Sequence, residues 1–169
     1  MPPPKSRSDA PHDNVQLIPY KSASSEVIHI GPLRLDVLED GSRTDRRLSA
    51  VHITVPPKTP GPVQHWHQMH DETFLVLHGV ATFTSRETSF TAKQGDYVVV
   101  PTCAPHTFSN ESETEELVMY NTFSPAFYID YFRLMADMAR RTEDGKLTKE
   151  LAKEAMERYA TLQMGTREF

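Results

Sequence analysis

His65-Trp66-His67-Gln68-Met69-His70-Asp71-Glu72 is the stretch on which the reading of this chain turns. On a β-strand, residues i and i+2 point to the same face, roughly 6.5 Å apart along the backbone. His65 and His67 can therefore aim two imidazoles at one ion while Trp66 faces the other way. Glu72 can add a carboxylate oxygen from the start of the next strand. Imidazoles with a single carboxylate suit iron, manganese, nickel, copper, cobalt or zinc better than calcium or magnesium. The competing reading is a chance cluster of histidines in a polar loop, and His-x-His alone does not separate the two.

Working outward, the flanking sequence has β character. Downstream, Phe74–Leu77, Ala81–Thr84, Ser89–Ala92, Tyr97–Val100, Thr107–Phe108 and Leu117–Phe123 read as short strands, parted by Gly79, Arg86-Glu87, Gln94-Gly95-Asp96 and an acidic turn. Upstream, Val27–Ile30, Leu33–Leu38 and Leu48–Val55 read the same way, with Val51, Ile53 and Val55 alternating against His52 and Thr54. Pro56 to Pro62 carries four prolines and reads as a rigid loop that no central strand crosses. Many short strands at close spacing predict an antiparallel sandwich or barrel. At Ser124 the period changes. Ser124 as N-cap and Pro125 at the first helical position predict a helix with Phe127, Tyr131, Leu134, Met135 and Met138 on one face. Thr148 caps a second, with Leu151, Ala155, Tyr159 and Leu162 as its stripe.

Gly95, Pro101, His106 and Asn110 complete the pattern. Taken with His65, His67, Glu72 and Gly79, their spacing resembles the two conserved motifs of the cupin superfamily, over residues 61–110. The resemblance implies an all-β fold, a double-stranded β-helix (jelly-roll) barrel, here followed by a pair of α-helices. It also implies that His65, His67, Glu72 and His106 hold one divalent transition metal. Two departures stand out. Gly61 lies four residues before His65 where the family has a glycine six before, and Cys103 stands where the family has glycine. Neither alters a ligand. Three histidines and one glutamate leave coordination positions open on an octahedral ion, as a catalytic site requires.

The chain of 169 residues suits one domain. The expected parts are a flexible arm over residues 1–20, a barrel over 21–124, and a helical extension over 125–169 packed on the barrel or at a dimer contact. A net charge of −5 without a basic run argues against a nucleic-acid partner. The lone Cys103 rules out an intrachain disulfide, and resembles a small buried residue more than a nucleophile. No apolar run approaches a membrane span, and no secretory leader follows Met1, so the expected location is the cytoplasm.

Around the site, Phe74, Val76 and His78 share parity with Glu72, and Phe108 shares parity with His106. Phe74, Val76 and Phe108 are thus either substrate-contacting walls or ordinary core. Glu72, His78 and His52 are candidate proton-transfer groups; His70 is a weaker one, in a loop where it would be solvated. The resemblance implies an enzyme of secondary metabolism that oxygenates a small phenolic or enolic, aromatic or polyketide-like molecule, in the manner of quercetinase-like non-haem dioxygenases. Decarboxylation, isomerisation or cyclisation at the same ion, or non-enzymatic binding of a small molecule, are the alternatives. Single-domain cupins commonly pair through edge strands, which implies a homodimer.

Overall fold

Strands with one apolar face close against one another only if those faces meet, and that is how this chain folds. The computed structural model describes residues 17–20 and 25–164. Most of the expected N-terminal arm and the last five residues of the helical extension therefore lie outside the described residues. Among these, the order is β1 (Val27–Ile30), β2 (Leu33–Glu39), β3 (Ser49–Val55), β4 (Thr59–Pro60), β5 (His65–His67) and β6 (Asp71–His78). Then come β7 (Val80–Ser85), β8 (Thr88–Lys93), β9 (Tyr97–Val100), β10 (Thr107–Asn110) and β11 (Leu117–Ser124). The helices α1 (Tyr128–Arg140) and α2 (Lys149–Arg158) follow, and β12 (Thr161–Gln163) ends the series.

One antiparallel sheet runs β1-β2-β3-β11-β6-β9, a second β4-β10-β7-β8, and β12 pairs with β5 as a two-stranded ribbon. The result is the antiparallel jelly-roll architecture, as two facing sheets rather than one continuous closed barrel. Alternate residues fill its interior: Val51, Ile53 and Val55 from β3, Phe74 and Val76 from β6, Leu117, Met119 and Phe123 from β11, and Phe83 and Phe108 from the second sheet. Burying each such side chain contributes roughly 1.5–3 kcal/mol, so the pairing register that keeps this set inside is strongly favoured over its one-residue slip.

Two glycines let strands approach closely. Gly79, the single residue between β6 and β7, has φ +77°, and a Cβ there would lie 2.5 Å from the Glu116 carbonyl oxygen. A Cβ on Gly61 would lie 1.9 Å from the Phe108 carbonyl oxygen. Gly61 thus seats the chain against β10 just before the histidine strand.

Three expectations need correction. The proline loop does contain strand: Thr59 and Pro60 pair with Asn110 and Ser109. They form the outer strand of their sheet, where proline's missing N–H is tolerated. The first helix starts later than Ser124. Ser124 is the last residue of β11 and its hydroxyl donates to the Arg47 carbonyl, while α1 begins at Tyr128 after Phe127, with no side-chain cap. The third concerns Leu162, which is not helical; Ala160 takes φ +50° and the chain leaves α2 to run on as β12. Thr148 does cap α2, its hydroxyl oxygen accepting from the Leu151 N–H at 3.2 Å.

The extension lies on the barrel. Tyr128, Ile129, Phe132 and Met135 are buried in the common core, and Arg133 binds Glu26 and Asp40 on the barrel side at 2.6 and 2.9 Å. Among the described residues, no helix is long and apolar enough to cross a membrane.

Candidate metal centre

β5 is three residues long and held on both sides. On one side it pairs with β12. On the other, the His65 N–H donates to the His106 carbonyl at 3.0 Å and the His106 N–H donates back at 2.8 Å. This exchange sets His65 and His106 opposite each other, with ring centroids 4.5 Å apart; His67 lies 4.8 Å from His65 and 5.1 Å from His106. Glu72, near the start of β6, enters from the facing sheet. All four are buried, with exposures of 6, 2, 5 and 5% for His65, His67, Glu72 and His106. The structure thus brings together the four residues singled out as ligands.

The outward-facing nitrogens are committed. His65 Nδ1 lies 2.8 Å from the Val63 carbonyl and His106 Nδ1 3.1 Å from the Ala104 carbonyl. A carbonyl only accepts, so each Nδ1 carries the proton and each neutral ring keeps its Nε2 lone pair for the interior. His67 Nδ1 meets the Thr161 hydroxyl at 3.2 Å. Inside, Glu72 Oε2 lies 3.1 Å from His67 Nε2 and 3.0 Å from His106 Nε2. Lone pairs on nitrogen and carboxylate oxygen cannot face each other at that distance without a cation between them, either a proton or a metal ion. The donor set fits a divalent transition metal, and His65, His67 and His106 offer ligand atoms within 4.8 Å of one another.

Electrostatics agree with a cation-seeking site. Burial alone would push the Glu72 carboxyl up, but its bonds to His106 and His67 hold it well below the usual range. Burial, then the neighbouring His106 and His67, push His65 down to about 3. Burial lowers His106 too, but the bond to Glu72 and its charge overcome this and leave it raised.

The other candidates separate. His52 is on the outer face of β3, edge-on to Tyr20 and Tyr120, away from the interior occupied by Val51, Ile53 and Val55. His78 is exposed: the β6–β11 register shifts between Val118 and Met119, so Leu77 is an extra residue and the parity of Glu72, Phe74 and Val76 is lost before His78. Neither is near the cluster. Phe74 and Phe108 are buried with ring centroids 5.7 Å apart, both against Phe83, and Val76 is buried beside them in the barrel core. Cys103 is exposed rather than buried and takes φ +69°, the conformation that glycine adopts most easily; its N–H donates to the His67 carbonyl at 2.7 Å.

His70 is the largest departure. It is 1% exposed, not solvated, with its ring 4.1 Å from His67 and 4.4 Å from Tyr128 and with Phe123 and Phe127 beyond. Both its ring nitrogens lack a hydrogen-bond partner, and burial holds its pKa down to about 3. With His67 and Glu72 it forms a second group whose ligand atoms lie within 4.8 Å of one another. Asn121 and Thr161 were also not apparent in the sequence. Asn121 donates to Glu72 Oε1 at 3.0 Å. Its inward parity on β11 was readable; its partner was not.

Comparison with known proteins bears on the family and the fold. Residues 51–123 match the family model described as a cupin domain. A quercetin 2,3-dioxygenase from Bacillus subtilis (strain 168) is 28% identical over 81 residues, 48% of this chain. The chain spans 23% of that relative's length. Among solved structures, a predicted oxalate decarboxylase from Thermotoga maritima superposes with a TM-score of 0.58 at 16% identity, over 64% of this chain and 99% of that one. The nucleoside dehydratase Pac13 of Streptomyces does so with a TM-score of 0.53 at 20% identity, over 68% and 88%. Fold, motif spacing and family model agree on a cupin domain over residues 51–123 of this chain.

Proposed function

We propose that the protein is a metal-dependent enzyme acting on a small phenolic or enolic molecule, as a non-haem oxygenase. The observation that carries the reading is the buried set His65, His67, Glu72 and His106, in which Glu72 Oε2 faces His67 Nε2 and His106 Nε2 at about 3 Å and calls for a cation, with His65 beside them. A divalent transition metal bound there would supply Lewis acidity and open positions for a substrate oxygen or dioxygen. The chain's own residues do the rest. Val63, Ala104 and Thr161 hold the three imidazoles in one tautomer. Asn121 anchors one oxygen of Glu72, leaving Oε2 to face His67 and His106, where it can take a proton from a bound hydroxyl. Phe74, Val76 and Phe108 make an apolar interior that excludes water. Similarity to a quercetin dioxygenase supports the oxygenase choice.

A second reading is favoured by His70. An imidazole with two unpartnered nitrogens beside Glu72 is the kind of group that moves protons in a decarboxylase, isomerase or cyclase. Metal analysis with oxygen-electrode traces over a panel of phenols and enols separates the readings. One transition metal per chain and oxygen uptake are expected; turnover without uptake selects the second reading. Protein that holds no transition metal, as purified or after reconstitution, overturns both. The same proposal makes the enzyme a cytoplasmic homodimer, and a monomeric mass by light scattering would contradict the dimer.

A further inference from the structure

The residues that finish the metal centre are not all in the cupin domain. The family match ends at residue 123, yet β5, which carries two of the four ligands, takes its neighbouring strand from residues 161–163. Thr161 lies opposite His67, Leu162 opposite Trp66 and Gln163 opposite His65. Two further backbone bonds close the ends of this ribbon, Gln68 N–H to the Ala160 carbonyl at 3.0 Å and Met164 N–H to the Gln64 carbonyl at 2.9 Å.

The side chains repeat the arrangement. Thr161 is fully buried, and its hydroxyl oxygen is within 3.2 Å of His67 Nδ1, 3.1 Å of the Tyr128 hydroxyl and 3.3 Å of the Tyr159 carbonyl. A hydroxyl has one proton and two acceptor lone pairs. The Tyr159 carbonyl can only accept, so the Thr161 proton goes there. Both lone pairs then receive, one from the Tyr128 O–H and one from His67 Nδ1–H. His67 is thereby held with its proton on Nδ1 and its Nε2 lone pair turned toward Glu72. His65 and His106 obtain the same restraint from carbonyls of their own strands and turns; for His67 it comes from the C-terminal extension.

The geometry points to Thr161, backed by Tyr128, as a positioning residue of the metal centre, so that the extension is part of the site rather than a packing appendage. This rests on the metal-binding reading above. Partners of this kind typically contribute about 10–100-fold to metal affinity.

The test compares full-length wild type with Thr161→Val and Thr161→Ser, measuring zinc affinity by chelator competition and the visible bands of the cobalt(II)-loaded proteins. Thr161→Val keeps the shape but removes the acceptor, and should weaken zinc binding about 10–100-fold and shift the cobalt bands. Thr161→Ser keeps the hydroxyl, and should stay close to wild type in both. Unchanged affinity and bands in Thr161→Val, or a Thr161→Ser as weak as Thr161→Val, overturns the proposal. Should Thr161→Val fail to fold, long-range nitrogen–proton NMR of zinc-loaded wild type decides. A His67 bound through Nε2 with a slowly exchanging Nδ1–H is expected, whereas binding through Nδ1, or exchange as fast as free imidazole, overturns it. Wild type that binds neither metal removes the metal-centre reading itself, and a wild type that binds while the variants match it removes only this inference.

Discussion

Asn121 donates its side-chain N–H to Glu72 Oε1 at 3.0 Å, joining β11 to the carboxylate of β6 at the floor of the histidine cluster. A second N–H bond, to the Thr73 carbonyl at 2.9 Å, holds the amide in place. Glu72 is buried, so a donor lost from it is not replaced by water at no cost. Hydrogen bonds to charged groups contribute about 1.5–3 kcal/mol. Asn121→Ala should therefore lower the stability of the metal-free protein by about 2 kcal/mol, or roughly 4–8 °C in melting temperature. A thermal melt superimposable on wild type would refute this.

The ligands make the sharpest pair of tests. His65→Ala and His106→Ala should abolish stoichiometric metal and activity while the barrel remains folded. The backbone exchange between these two residues does not need their side chains. Metal content by mass spectrometry and far-ultraviolet circular dichroism report the two halves; full activity in either variant would place the active site elsewhere.

Stability of the metal-free protein should depend on pH through the buried imidazoles. His65 and His70 are held down to about 3 in the fold, against 6.5 for an ordinary histidine. Between these values the unfolded chain binds more protons than the folded one, so stability rises with pH from about 3 to 6.5 and then levels off. His106 is raised and works in the opposite sense, its contribution present below pH 6.5 and lost as pH rises through its folded value. Two depressed groups against one raised group leave a net gain on going from pH 4 to 6.5. Denaturant midpoints that are flat over that range would refute it.

His70 should show stability and function in conflict. Its unpartnered nitrogens cost about 1–3 kcal/mol in a buried setting, and an apolar side chain of similar size removes that cost. His70→Leu should therefore melt a few degrees higher than wild type when metal-free and, on the second reading, turn substrate over more slowly. An equally active and more stable variant would remove His70 from the reaction.

How far the sequence reaches depends on the range of the interactions involved. The strands were legible because alternation is local, and the ligand set because its spacing falls within two turns and their strands. His70 was not, since its burial comes from Phe127 and Tyr128, more than fifty residues away in the chain. His78 escapes the parity rule because parity carries along a strand only until a bulge, and nothing in Phe74-Leu75-Val76-Leu77-His78 announces one. Thr161 carries no such signal, because the α2 period runs on in the sequence through Tyr159 and Leu162, across the left-handed Ala160.

The pairing of β5 with β12 also orders events in time. Chains are made from the N-terminus, and domains fold as their parts become available. The strand with His65 and His67 lies early in the chain, but one of its edges stays unpaired until residue 163 has been made. Closing that contact spans about a hundred residues, the kind of long-range pairing that is slow to form. Nearly the whole barrel can thus assemble while the strand that carries two of its four ligands still lacks one neighbour.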